Sequence, residues 1–141
     1  LREVAIRLRL RLSRGNHSVD VVALVKSGYE TVEPEILVPS VTARELHLYP
    51  ELPYGTVVGE YRSADGSTTK LIRIPRAVNV YVLEDDRVVG SVESSLVIAE
   101  KAGEPLISDK LAGRLGIVAL DFGEGLWCFR DEIGRVTRRS R

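Results

Sequence analysis

Lys26-Ser27-Gly28 at the end of an apolar run, three glutamates close behind it, two histidines and one cysteine are the residues of this chain that could do chemistry. Lys26 beside Ser27 has the composition of a Ser–Lys hydrolase pair. Neighbours on a strand face opposite ways, however, so adjacency does not bring the ammonium to the hydroxyl. The three residues read first as a structural turn, with Gly28 supplying backbone freedom. Glu30, Glu33 and Glu35 could act as acid–base groups or balance Lys26; as ordinary exposed carboxylates they would form a solvated loop. Ser67-Thr68-Thr69-Lys70 has the S-x-x-K spacing of penicillin-binding enzymes, but it falls in an expected hairpin without that family's companion motifs. His17 sits in a turn and His47 at a helix end. With one Cys far away and no H-x-x-x-H or C-x-x-C spacing, neither a metal nor a cofactor is expected. Cys128, between Trp127 and Phe129, reads as a strand residue rather than a nucleophile, and Asp20 and Asp121 as strand-end or turn residues. Gly123-Glu124-Gly125 precedes a strand, whereas a phosphate-cradling loop precedes a helix. Asn16-His17-Ser18 fits the glycosylation pattern, with no export signal beside it.

The elements that must hold these residues are mostly strands. Nineteen valines and eight isoleucines favour pleated surfaces. Val4, Ile6, Leu8, Leu10 and Leu12 alternate with Arg7, Arg9 and Arg11, the period of a strand with one buried face. A turn at 13–18 leads to a more fully buried strand at 19–25, which Lys26-Ser27-Gly28 breaks. A short strand is expected at 35–38, then a helix through Leu46 with Ser40 as N-cap. Strands at 56–62 and 68–74 flank a polar tip, Ser63-Ala64-Asp65-Gly66-Ser67, and read as a hairpin. Further strands are expected at 78–83, 87–92 and 94–99. Leu106-Ile107 runs into Ser108-Asp109, which caps a second helix closed by Gly116. A last hairpin spans 117–120 and 126–130. The total is about ten short strands and two short helices, a mainly β fold of the barrel or sandwich kind. Residues 1–132 form one domain, followed by a loose basic tail at 133–141.

The composition closes off several classes. At 141 residues, 44% hydrophobic and 28% charged, the chain is ordinary globular material rather than disordered or fibrous. Its longest apolar run, residues 21–25, is far short of the ~20 residues of a membrane helix. Twenty basic residues balance twenty acidic ones, so no global field gathers nucleic acid or an anionic membrane. Arg7, Arg9 and Arg11 with Arg135, Arg138, Arg139 and Arg141 could make a local basic strip. They read instead as a solvent face and a soluble tail, with no interleaved aromatics for base stacking. A single cysteine fits a reducing cytoplasm, and nothing at the start reads as a signal peptide. The absence of Met and Gln, with only two Asn, fits a thermophilic source.

An internal echo is also present. Residues 35–48 align without gaps on residues 104–117, sharing Glu35 with Glu104, Leu37 with Leu106, Ala43 with Ala112 and Leu46 with Leu115. Each copy is a strand running directly into a helix, as two halves related by a local two-fold would leave.

On these residues the chain resembles the retropepsin-like aspartic proteases of the archaeal and bacterial type. Residues 22–30 (Val-Ala-Leu-Val-Lys-Ser-Gly-Tyr-Glu) are similar to that family's active-site strand and turn, an apolar run ending in Asp-Thr/Ser-Gly. Residues 105–117 are similar to its second signature, paired apolars and a helix ending in Leu-Gly. The hairpin around Asp65-Gly66 falls where the family has its flap, and the likeness runs from about Val4 to Phe129. It implies an acid-protease barrel, a homodimer and a peptide-sized cleft roofed by the hairpin at 56–74. Two departures stand out: the catalytic Asp falls on Lys26, and the second signature's usual Gly falls on Ser108. Family proteolysis uses two carboxylates sharing a proton, a part no ammonium can play.

The expected function is therefore a catalytically inactive, aspartic-protease-like module that binds a peptide or protein. Lys26, Ser27 and Gly28 form its vestigial site, and Asp65, Gly66, Ile107 and Ser108 contact the ligand. The alternative is a peptidase still active through other carboxylates, with Glu30 the candidate substitute. A homodimer is expected; membrane and nucleic-acid partners are not.

Overall fold

Ile6, Leu8, Leu10 and Leu12 are fully buried while Arg9 and Arg11 between them are exposed, so the opening alternation makes a strand with one core face, β1 (Arg7–Arg14). This computed structural model describes residues 5–62 and 64–141, apart from the Tyr61 side chain; Val4 and Ser63 lie outside the described residues. β1 turns through Gly15 into β2 (His17–Val25), its antiparallel partner from Arg7↔Leu24 to Arg14↔His17. After a loop come β3 (Glu35–Val38) and α1 (Ser40–Glu45), then β4 (Val57–Arg62), β5 (Thr68–Leu83) and β6 (Val88–Ala99). β7 (Leu106–Ile107) runs into α2 (Asp109–Arg114), followed by β8 (Ile117–Asp121), β9 (Leu126–Phe129), a single 3-10 turn at Arg130–Glu132 and β10 (Arg138–Arg139). The main sheet has the order β1-β2-β7-β3-β6-β5-β4, with β1 also pairing with β5; β10-β9-β8 form a second sheet. The fold is mainly β, as the valine-rich sequence predicts. Among the described residues no helix is long and apolar enough to cross a membrane.

Several expected boundaries shift. The strands expected at 68–74 and 78–83 are one strand, β5, bent where its register with β6 slips between Ile74 and Val78. Pro75 has no N–H for the ladder, and Arg76 takes a left-handed φ of 47°, so the chain bulges and resumes pairing. The strands expected at 87–92 and 94–99 likewise merge into β6. The N-cap of α1 is Pro39 rather than Ser40, with no side-chain cap bond. The C-terminal segment, expected to be loose, is tied down: Arg138 and Arg139 pair with Trp127 and Leu126, and the Arg138 guanidinium is buried among carboxylates. Charge alone does not make a tail solvated when acids elsewhere in the fold receive it.

The echo between residues 35–48 and 104–117 is a true local two-fold. β2 pairs in parallel with β7 (Leu24↔Leu106, Val25↔Ile107) as β3 does with β6 (Leu37↔Val97, Val38↔Ile98), and β3 meets β7 antiparallel between them. The helices start alike, from Pro39 (φ −69°, ψ 163°) and Ser108 (φ −73°, ψ 160°). They also end alike: the residue after each C-cap, His47 in one lobe and Gly116 in the other, is left-handed, at φ 59° and 78°. The turns closing β2 and β6 share a closing bond, Tyr29 N–H to Lys26 O at 3.1 Å and Ala102 N–H to Ala99 O at 3.0 Å, although Gly28 is left-handed and its counterpart Lys101 is not. Ile36, Val38, Leu46, Leu96, Ile98, Ile107, Leu111 and Leu115 fill the space between the lobes. At about 1.5–3 kcal/mol per buried aliphatic side chain, this shared core is what fixes the two turns.

Candidate functional site

The candidate site is the turn at 26–29 and the loop that follows it. β2 delivers this turn to the surface because Val25 is the last residue it buries; Lys26, Ser27 and Gly28 are all exposed. Gly28 has φ +86°, a conformation that needs glycine here. Among the described residues the Lys26 side chain has no hydrogen-bond or ion-pair partner, so its ammonium stands in solvent at the end of the lobe.

The three loop glutamates part company. Glu35, at the start of β3, is nearly buried (13% exposed) and accepts a short hydrogen bond from the Tyr29 hydroxyl and a 3.1 Å contact from Arg73 Nε. Glu33 faces Arg73 and Arg76 at 3.9 and 4.0 Å. Neither balances Lys26. Burial, with the hydrogen bond to Glu35 next, pushes the Tyr29 phenol well above its usual range, which keeps it a neutral donor. Arg73 also donates to Ser95 Oγ at 3.1 Å, and Ser95, 2% exposed, receives the Arg76 N–H at the β5 bulge. Arg73, Arg76 and Ser95 escape sequence reading because their partners lie in distant strands.

Glu30 remains exposed. It lines an open groove of about 630 Å³ with Asp109, Lys110, Arg114 and Arg130. The loop is laced to α2 by backbone bonds, Asp109 N–H to Tyr29 O at 2.8 Å and Ser108 N–H to Glu35 O at 3.0 Å. Ser108 itself is fully buried. Its Oγ accepts the N–H groups of Leu111 and Glu35, both at 3.2 Å, so it caps α2 and pins β3. Ile107 is fully buried, paired with both Val25 and Ile36. Both residues expected to contact ligand thus sit in the core beneath the turn.

Asp65 and Gly66 form the exposed tip of the β4–β5 hairpin. The Asp65 carboxylate accepts Ser67 Oγ at 2.6 Å and Ser67 N at 2.9 Å, bonds that hold it below the usual carboxylate range. Val57 and Val58, on opposite faces of β4, are 59% and 51% exposed, so this arm stands away from the core. Elsewhere, Asp20 pairs with Arg11 at 2.7 Å, and Asp121 accepts the Glu124 N–H at 3.1 Å within its turn. Cys128 is buried, which pushes its thiol up. Arg7, Arg11, Arg138 and Arg141 all pair with carboxylates, which breaks up the basic strip. Among the described residues no group of three or more His, Cys, Asp or Glu side chains is placed to hold a metal.

The site therefore offers an exposed cation on a glycine turn, a half-buried Tyr–Glu–Arg network behind it, and a mixed-charge groove beside α2. An exposed ammonium can attract an anion, and among the described residues of this site no carboxylate faces another for general acid–base work. The chain matches no family model, no curated protein and no solved structure.

Proposed function

We propose that the chain is a retropepsin-like domain that has lost proteolysis and works as a homodimeric module binding a peptide or protein segment. In this reading the main sheet forms the acid-protease barrel, the β4–β5 hairpin roofs the cleft, and the turn at 26–29 from each subunit forms its floor. The observation that carries the reading is the pair of strand–turn and strand–helix lobes about a local two-fold, with Lys26 on the glycine turn where the family has its acid. An ammonium accepts no proton from water and cannot share one across a two-fold. Two such cations at 4 Å would repel by about 4 kcal/mol at an effective dielectric of 20. A ligand carboxylate between them relieves that repulsion, so the module prefers acidic peptides. A reducing cytoplasm suits its one buried thiol.

The test is Lys26→Asp. The wild type cleaves no peptide of a library between about pH 3 and about pH 8, while the variant gains cleavage at the acid end, where a shared proton can be held between two carboxylates. Sedimentation of both proteins gives a dimer. An inert variant with wild-type stability, or a monomer, overturns the reading. Wild-type cleavage lost in Glu30→Gln would establish the active-peptidase alternative in its place.

A further inference from the structure

The chain's only two histidines are brought together by the fold. His17 opens β2 and His47 follows α1, yet their rings stack face to face with centroids 3.8 Å apart and planes 11° apart. Both are exposed, and neither ring nitrogen is hydrogen-bonded among the described residues. The position of His47 sharpens the point. It holds a left-handed backbone (φ 59°) that L side chains with a Cβ disfavour, and its equivalent in the other lobe is Gly116. A glycine would suit this corner, and the chain carries an imidazole there instead, beside the one other imidazole it has.

We propose that His17 and His47 form a two-imidazole site for a late first-row divalent cation, taking Cu(II) in preference to Ni(II) and Zn(II). Imidazole nitrogen suits all three ions, and for a given nitrogen site affinity peaks at Cu(II). Stacked rings aim their lone pairs side by side, so one ring turns about its terminal torsion before both nitrogens reach one ion. That turn parts the ring stack but breaks no side-chain hydrogen bond of either histidine among the described residues, and water completes the coordination shell from the solvent side. The arginines nearest in sequence are engaged elsewhere: Arg14 donates to Ala77 O at 2.9 Å, and Arg44 lies over the Tyr49 ring at 4.9 Å. No like charge is thus fixed against the pair by these two side chains. A bound ion links the β1–β2 turn to the corner after α1, a cross-link present only in the folded chain.

This site does not depend on the protease-like reading. It is tested by titrating metal-free protein with Cu(II), Ni(II) and Zn(II) chloride, following heat of binding and melting temperature, with a chelator to reverse the effect. One ion per chain, a melting temperature that rises with ion concentration, and the order Cu(II) above Ni(II) and Zn(II) are expected. His17→Ala and His47→Asn each weaken Cu(II) binding at least ~10-fold; Asn tolerates the left-handed backbone, so the second variant keeps the corner. A far-ultraviolet spectrum identical to wild type confirms that each variant is folded. Equal Cu(II) affinity in the wild type and the His17→Ala/His47→Asn double variant overturns the proposal, as does the absence of any metal-dependent shift in melting temperature.

Discussion

Replacing Arg138 by Met tests whether the C-terminal segment is an integral part of the fold. The guanidinium is 8% exposed and serves three carboxylates: Glu132 through Nε at 2.9 Å and Nη2 at 2.7 Å, Asp86 at 2.7 and 2.9 Å, and Glu84 at 3.2 Å. It also lies over the Phe129 ring at 5.1 Å. Glu132 and Glu84 are 7% and 9% exposed, so neither can turn to water when the cation goes. Removing one member of a buried pair costs about 3–5 kcal/mol. The lower end applies, because Glu132 keeps Arg87 and the Phe129 N–H, and Glu84 keeps Arg141 at 2.7 Å. The Arg138 hydrogen bonds, aided by the Phe129 N–H and Arg87, hold the Glu132 carboxyl down to about 2. Asp86 is held to about 2 by the same guanidinium. Both folded-state values lie below the unfolded ones, so this stability is complete above the unfolded carboxyl range and disappears as the pH falls through about 2. Urea unfolding of Arg138→Met at neutral pH should show a loss of ~3 kcal/mol, or about 10 °C in melting temperature for a chain of this length. Repeating the titration toward about pH 2 should bring wild type and variant together. A variant within ~0.5 kcal/mol of wild type at neutral pH, or a gap that persists at pH 2, would refute the reasoning.

Two further substitutions probe the scaffold. Ser108→Ala removes the cap of α2 and the acceptor for Glu35 N–H together, and denaturant unfolding should show a loss of about 2 kcal/mol. Gly90→Ala would place a Cβ 2.7 Å from Val80 O at φ +139°, so the β5–β6 ladder must open; thermal unfolding should show a loss of more than ~2 kcal/mol, with native sheet content reduced near Tyr81.

What was legible in the sequence was what local chemistry encodes. The Leu8-Leu10-Leu12 alternation, Gly28 closing a turn and the matched strand-to-helix segments at 35–48 and 104–117 are signals within a few residues of one another, and each produced the element it implied. The misreadings fall where a distant strand decides. Pro75 marks the end of a strand by any local rule, yet pairing with β6 on both sides of it carries β5 through as a bulge. The basic residues after Arg135 look solvated until Glu84, Asp86 and Glu132 are folded against them. In the site, Lys26, Ser27, Gly28 and Glu30 emerge exposed as a turn and loop should. Ser108 and Ile107 lie buried beneath the turn, and their sequence neighbourhood alone does not separate a residue beneath a turn from one lining it. Nothing local distinguishes Glu35, which receives Tyr29 and Arg73, from Glu30, which receives neither.

The local two-fold separates what holds the turn from what the turn carries. Residues 26–29 and 99–102 close β2 and β6 with the same backbone hydrogen bond, but the first presents Lys-Ser-Gly-Tyr and the second Ala-Glu-Lys-Ala. The closing bond is shared but the turn geometry is not, since Gly28 is left-handed at φ +86° and its counterpart Lys101 is not, so the shared core, Val25 with Ile107 and Val38 with Ile98, sets where the turns fall and their own residues set their form. Energetics agrees: Ile36, Ile98 and Ile107 are fully buried, whereas the Lys26 side chain has no partner among the described residues. An exposed, unpaired side chain contributes little to stability, so exchanging an acid for a cation at this position leaves the fold where it is. The chemistry of the turn can therefore change without change in the scaffold.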